Sequence, residues 1–140
     1  ASGLKLNIKQ KDIKIEGYSI ECRITAEDTK NNFAPSPGKI EFLNLPCGNG
    51  VRIETAVYNG YTIPPFYDSM IMKVIAYAPT RLACIKKMRA ALEELFVDGI
   101  STNIEFQYLL LHSPNFINGR YDTGYVAKYI KELSENAEYI

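Results

Sequence analysis

The sequence predicts an α+β fold, a mainly antiparallel sheet followed by helices. Apolar and polar residues alternate with period two through the first half, and proline and glycine pairs cut that half into short segments. In the second half apolar residues recur at three- and four-residue steps. No internal repeat or low-complexity linker interrupts the 140 residues, so a single domain over residues 1–140 is expected.

The elements follow in order. Leu4, Leu6 and Ile8 alternate, as do Ile13 and Ile15, and read as extended segments. From Tyr18 to Ala26 the alternation is strict: Tyr18, Ile20, Cys22, Ile24 and Ala26 share one face, and Ser19, Glu21, Arg23 and Thr25 the other. Pro35-Ser-Pro-Gly38 is a loop, because proline has no N–H for a helix, and Ile40 and Phe42 follow it. Val51 to Val57 alternates again, with Arg52 and Glu54 on one side. Asn59-Gly60 has the residue types of a type I′ hairpin turn, with Tyr61-Thr-Ile63 as the returning strand and Pro64-Pro65 ending it. Met70 to Tyr77 is almost continuously apolar, contains Lys73, and is closed by Pro79, as a buried strand would be.

Helical spacing begins at Arg81. Leu82, Ile85, Met88, Leu92 and Leu95 form a stripe up to Phe96, Thr80 is a candidate cap, and Gly99 lies just past the end. Thr102-Asn-Ile-Glu105 has the form of a capping box for a second helix, which runs to about His112 and is stopped by Pro114. A last helix starts near Asp122 with Val126, Ile130 and Leu133 as its apolar stripe, and the polar tail after Ser134 is expected to fray.

Hydrophobic residues make up 46% and charged residues 23%, the composition of a soluble globular domain and not of a disordered chain. Lys plus Arg and Asp plus Glu are both 16, so the net charge supplies no reason to bind nucleic acid or an anionic membrane. Cys22, Cys47 and Cys84 are odd in number and form no CxxC pair, which reads as reduced thiols of a cytoplasmic protein, not a disulfide frame or zinc site. No apolar run approaches the roughly 20 residues of a membrane span. The opening residues scatter Lys5, Lys9, Lys11 and Lys14 among Leu and Ile and lack the apolar core of a signal peptide.

Most catalytic signatures are absent: there is no GxxxxGK[ST] loop and no GxGxxG. The only histidine, His112, sits at a helix end where a cation suits the dipole, so neither a histidine triad nor a metal site is expected. What remains is charge in unusual places. Arg23 lies mid-strand with Glu21 on the same polar face. Asp68 lies in Pro64-Pro-Phe-Tyr-Asp-Ser69, where a stiff backbone would let a carboxylate hold a guanidinium in one orientation. From the residues alone two readings stay open, this one and an unrelated strand arginine and turn aspartate. Arg52 and Glu54 are likewise either a solvated strand face or a partner surface.

Several of these segments together resemble the C-terminal region of biotin carboxylases. Glu21-Cys-Arg-Ile-Thr-Ala-Glu-Asp28 is similar to that family's E-C-R-I-x-A-E-D, and Phe33-Ala-Pro-Ser-Pro-Gly-Lys-Ile40 to its F-x-P-S-P-G-x-I. Gly50-Val-Arg52, Gly60-Tyr-Thr-Ile-Pro-Pro-Phe-Tyr-Asp-Ser-Met70, Lys73 and Asp98-Gly-Ile-Ser-Thr-Asn103 follow at the family's spacing. The resemblance runs from about Leu4 to about Ile130, and motifs that are moderately specific singly are very specific in this order. It implies an incomplete, barrel-like antiparallel sheet with about three helices, packed on an ATP-grasp body that belongs to segments upstream of Ala1.

The resemblance also implies a reaction: ATP and Mg2+ activate bicarbonate, and biotin on a biotin carboxyl carrier protein accepts the carboxyl group. In bacterial acetyl-CoA carboxylase this is the first step towards malonyl-CoA and fatty acids, and carboxyltransferase subunits complete it. Arg23 matches the arginine that contacts the ureido oxygen of biotin, Asp68 the aspartate that orients it, and Glu21 a supporting position. Thr123 and Gly124 match a stretch close to the nucleotide. Asn49 and Arg52 match the homodimer contact, although Asn49 stands where some members have an aromatic residue. Thr29-Lys-Asn-Asn32 makes its loop one residue longer than in many members. The phosphate-binding lysines, metal-binding glutamates and bicarbonate-binding arginine of the family are not in this chain, so the 140 residues alone are expected to be inactive. Two other readings stand beside this one: the same region of a pyruvate or propionyl-CoA carboxylase, and a non-catalytic dimerisation or interaction module.

Overall fold

The computed structural model describes residues 2–128 and residue 130. Its strands in chain order are β1 (Tyr18–Thr25), β2 (Glu27–Asp28), β3 (Ala34–Pro35), β4 (Gly38–Lys39), β5 (Phe42–Asn44), β6 (Val51–Thr55), β7 (Thr62–Ile63) and β8 (Met70–Ala78). Helix α1 (Arg81–Glu94), strand β9 (Phe96–Asp98), helix α2 (Ile104–His112) and the single turn α3 (Pro114–Ile117) follow. The fold is α+β, as the alternation predicted. Its centre is a three-stranded sheet in the order β1-β8-β6, and β2-β3, β4-β7 and β5-β9 form short ladders around it. Every pairing is antiparallel, and no closed barrel forms among the described residues.

The two faces of the central sheet differ because period two sends alternate side chains to opposite sides. Cys22, Ile24, Met72, Val74 and Ala76 point inward and are buried. Helix α1 covers them with Cys84, Met88, Ala91 and Leu92, a stripe at one-, three- and four-residue steps, while Ile85 is buried outside that cluster. Ile24, Val74, Ile85 and Met88 are wholly inaccessible, and each contributes roughly 2 kcal/mol through removal of apolar area from water. Leu82, expected in this stripe, is instead half-exposed, since the face rotates past it. Thr80 caps the helix as expected: its hydroxyl accepts from the Ala83 N–H at 3.3 Å.

Several expectations are corrected. Leu4, Leu6, Ile8, Ile13 and Ile15 form no strand; all are exposed, Ile15 at 98%, around a short 3-10 turn at Gln10–Asp12. Alternation yields a strand only where an edge and a buried face receive it, and the described residues offer neither there. The Asn59-Gly60 turn is not type I′, because only Gly60 has positive φ. Tyr61 N–H bonds Tyr58 O at 2.9 Å, β6 pairs with β8, and β7 with β4. Asn59 spends its side-chain oxygen on the Leu43 N–H instead. Gly99 ends no helix: α1 stops at Glu94 and β9 intervenes. Pro114 does stop α2, but it also begins α3 as its first residue, where its missing N–H costs nothing. Of the final helix, residues 125–128 and 130 are helical, and Leu133 and the tail after Ser134 lie outside the described residues.

Candidate functional site

The outer face of the central sheet carries the charge. Register places Arg23 of β1 directly opposite Lys73 of β8, and Lys73 opposite Glu54 of β6. The row one step along is Glu21, Ile75 and Arg52. Arg52 and Glu54 pair along β6 at 3.1 Å, both largely exposed. Among the described residues neither Arg23 nor Lys73 has an ion-pair partner. Like charges directly opposite one another in a sheet are locally unfavourable, so the pair makes this face attractive to an anion or a developing negative charge.

Arg23 is exposed but not loose. Its Nε donates to Met70 Sδ at 3.2 Å, and its terminal nitrogens have no acceptor among the described residues. Asp68, also exposed, accepts from the Met70 N–H at 2.7 Å. The direct Arg23–Asp68 bridge pictured from the sequence does not form; the two residues converge on Met70. Glu21 shares the face of Arg23 without bonding to it.

The surrounding loops are tied down by side chains. Both carboxylate oxygens of Glu27 are used: Thr25 Oγ1 donates to one at 2.8 Å and Ser69 Oγ to the other at 2.6 Å. Ala26 N–H bonds Ser69 O at 2.8 Å, which fastens the Pro64–Met70 loop to the end of β1. On the opposite side Asn103 bonds the β1 backbone through both atoms of its amide. It is the residue before α2, and the expected Thr102–Glu105 capping box is absent. In the sequence Asn103 and Glu27 stood only as motif letters. Their role depends on contacts across 78 and 42 residues, which spacing along the chain does not reveal.

The other expected positions lie apart. Asn49 is in the exposed Gly48–Gly50 turn, where its carbonyl accepts from Lys87 Nζ at 2.7 Å. Thr123 and Gly124 form an exposed turn at the start of helical residues 125–128, with Gly124 N–H bonded to Asp122 at 2.9 Å. Beside them an open hollow of about 360 Å³ is lined by Arg120, Tyr121, Asp122, Tyr125 and Lys128. No group of three or more His, Cys, Asp or Glu that would hold a metal occurs among the described residues, and no helix there is long and apolar enough to cross a membrane. The exposed cation on Arg23, whose outer donors have no acceptor among the described residues, suits a negatively polarised oxygen. The donor set does not suit Mg2+.

The central antiparallel sheet has one helix-covered face and one charged, open face. Comparison with known proteins gives the family. Residues 21–128 match the model of the biotin carboxylase C-terminal domain. The chain is 48% identical over 129 residues to biotin carboxylase 1 of Bacillus subtilis, covering 92% of this chain and 29% of that protein. It is 45% identical to a pyruvate carboxylase subunit of Methanothermobacter thermautotrophicus, covering 92% and 26%. Among solved structures, the biotin carboxylase domain dimer of Hydrogenobacter thermophilus 2-oxoglutarate carboxylase, in complex with MgADP, ADP and bicarbonate, superposes with a TM-score of 0.91 at 41% identity, covering 94% of this chain and 29% of that one. The chain belongs to the biotin carboxylase C-terminal domain family, and it spans less than a third of the length of these relatives.

Proposed function

We propose that residues 1–140 are the biotin-side portion of an ATP-dependent biotin carboxylase, acting within a longer chain whose upstream part binds ATP, Mg2+ and bicarbonate. The single observation that carries this is Arg23: a guanidinium fixed through Nε to Met70, with its two outer nitrogens open among the described residues. Loss of the ureido proton puts negative charge on the ureido oxygen of biotin, and a fixed, permanently charged fork stabilises that charge as it grows. Asp68 orients Arg23 through Met70, and Glu21 supports the field of the same face. Thr123 and Gly124 border the nucleotide. Asn49 and Arg52 contribute to a homodimer contact, as the dimeric Hydrogenobacter relative suggests.

The partners that follow are a biotin carboxyl carrier protein and a carboxyltransferase, in the cytoplasm. The acetyl-CoA carboxylase reading, hence malonyl-CoA and fatty acid synthesis, stands first on the motif resemblance, and the Bacillus relative is a biotin carboxylase. The Methanothermobacter relative keeps a pyruvate carboxylase as the second reading.

Bicarbonate-dependent ATP hydrolysis, measured with and without free biotin, tests the proposal. The 140-residue chain is expected to be inert and to show no saturable biotin binding by calorimetry. The chain extended upstream is expected to turn over ATP faster when biotin is present. An extended chain indifferent to biotin would leave only an interaction module.

A further inference from the structure

We propose that Asn103 is a positioning residue for Arg23, with Gln107 as its second hand; this rests on the reading that Arg23 meets biotin. Strand β1 loses its regular register with β8 between Ile24 and Thr25: Ile24 faces Met72, but Thr25 faces Met70. The extra residue there, Ile71, is on β8; β1 is the edge strand of the order β1-β8-β6, so its Arg23 and Thr25 backbone groups on the free edge need partners other than a strand. Helix α2 and the residue before it supply those partners. Asn103 Oδ1 accepts from the Thr25 N–H at 3.0 Å, and Asn103 Nδ2 donates to the Arg23 carbonyl at 3.1 Å. Gln107 Nε2 donates to the same carbonyl at 3.2 Å, and the Asn103 N–H bonds Thr25 O at 3.2 Å.

Asn103 is 6% exposed, one of two buried polar residues among those described. Its amide acts as a substitute neighbouring strand for two peptide groups that bracket Ile24. The peptide following Arg23 and the N–H of Thr25 are therefore held from the α2 side, whereas among the described residues the Arg23 side chain itself is held only at Nε. Side-chain direction on a strand follows the local backbone plane, so a tilt there swings the guanidinium away from its target. Misplacement by about 1 Å costs on the order of a hundredfold in a positioned reaction. Asparagine suits the place because it offers a donor and an acceptor on a short stem. Aspartate keeps the acceptor but sets an oxygen against the Arg23 carbonyl.

The test uses the full-length carboxylase that carries this chain. Asn103→Asp, Gln107→Met, Arg23→Ala and the two doubles with Arg23→Ala are compared for biotin-dependent turnover, biotin-independent ATP hydrolysis and Tm. Asn103→Asp is expected to lower biotin-dependent kcat by about 30-fold, within the range that misplacement produces. Its biotin-independent hydrolysis and KM for ATP should change by less than about twofold, and it should add nothing on top of Arg23→Ala, because a positioning residue has no effect once its target is gone. A loss shared equally by both activities, or one that multiplies with Arg23→Ala, overturns the proposal. Should Asn103→Asp fail to fold, Gln107→Met on the part-exposed face carries the test: about a threefold loss that vanishes beside Arg23→Ala is expected, and no loss overturns it. If Arg23→Ala itself leaves turnover unchanged, the reading of Arg23 falls first; if only the Asn103 and Gln107 variants are silent, the positioning role alone falls.

Discussion

Arg23 and Asp68 are joined through Met70. The guanidinium Nε donates to the thioether at 3.2 Å, and the carboxylate accepts the backbone N–H of the same residue at 2.7 Å. Met70 is also the first residue of β8, so the bend that delivers the Pro-Pro loop to the sheet sets both side chains at once. The two outer nitrogens of Arg23 have no acceptor among the described residues.

Replacing Arg23 by alanine in the full-length enzyme should lower biotin-dependent turnover by about 10² to 10³, the usual loss for one donor to a developing oxyanion, while ATP still binds. Arg23→Lys should not restore it, because lysine has neither the fork nor an Nε–H placed for Met70. Steady-state kinetics with free biotin checks both; full turnover in either variant removes Arg23 from the reaction.

Glu27→Ala should loosen the Pro64–Met70 loop, since Thr25 and Ser69 both donate to that carboxylate. Two bonds to a part-buried charged acceptor are lost together, and a destabilisation of about 2 kcal/mol is expected. Urea unfolding measures it, and limited proteolysis should cut more readily beside the exposed Phe66 and Tyr67.

Gly99→Ala should be severe. Gly99 has φ of +96°, and a Cβ there would run into the Lys39 carbonyl and lie 2.9 Å from the Glu41 nitrogen, both main-chain groups that cannot turn aside. The β9 end and the backbone of residues 39–41, which leads from β4 to β5, would have to part, at a cost of at least about 2 kcal/mol from left-handed strain and overpacking combined. A drop in Tm of several degrees is the expected result.

Burial, and secondarily the neighbouring Glu21 carboxylate, push the Cys22 thiol up from 9.0 to about 12. The folded chain therefore keeps a proton that the unfolded chain releases between those values. Stability from this group is intact below pH 9 and declines as pH rises towards 12, by up to about 1.4 kcal/mol per pH unit. Unfolding followed from mildly to strongly alkaline pH should show that slope, and Cys22→Ala should flatten it. In mildly alkaline buffer a thiol reagent should label exposed Cys47 in the folded protein and spare buried Cys22 and Cys84.

Much of this was legible along the chain. Tyr18 to Thr25 is a strand with Cys22 and Ile24 inside and Glu21 and Arg23 outside, as its alternation states. Met70 to Ala78 is the buried central strand, and Met88 and Leu92 pack in one cluster with it from α1. Leu4 to Ile15 shows where alternation fails: the same pattern gives no strand when no partner edge meets it. Asn59 and Asn103 show a second failure, because their residue types satisfy more than one local motif and a distant contact chooses between them.

The order of residues was enough for the α+β class, the inward and outward faces of each long strand, and the family, because periodicity and motif order are properties of neighbours along the chain. Folding in three dimensions was needed to decide which strands pair, that Lys73 stands opposite Arg23, that Met70 links Arg23 to Asp68, and that Asn103 holds the strand beside them. These depend on register between segments tens of residues apart. Register is set by the whole core packing at once, since a slip of one residue would turn every side chain of a strand to the wrong face.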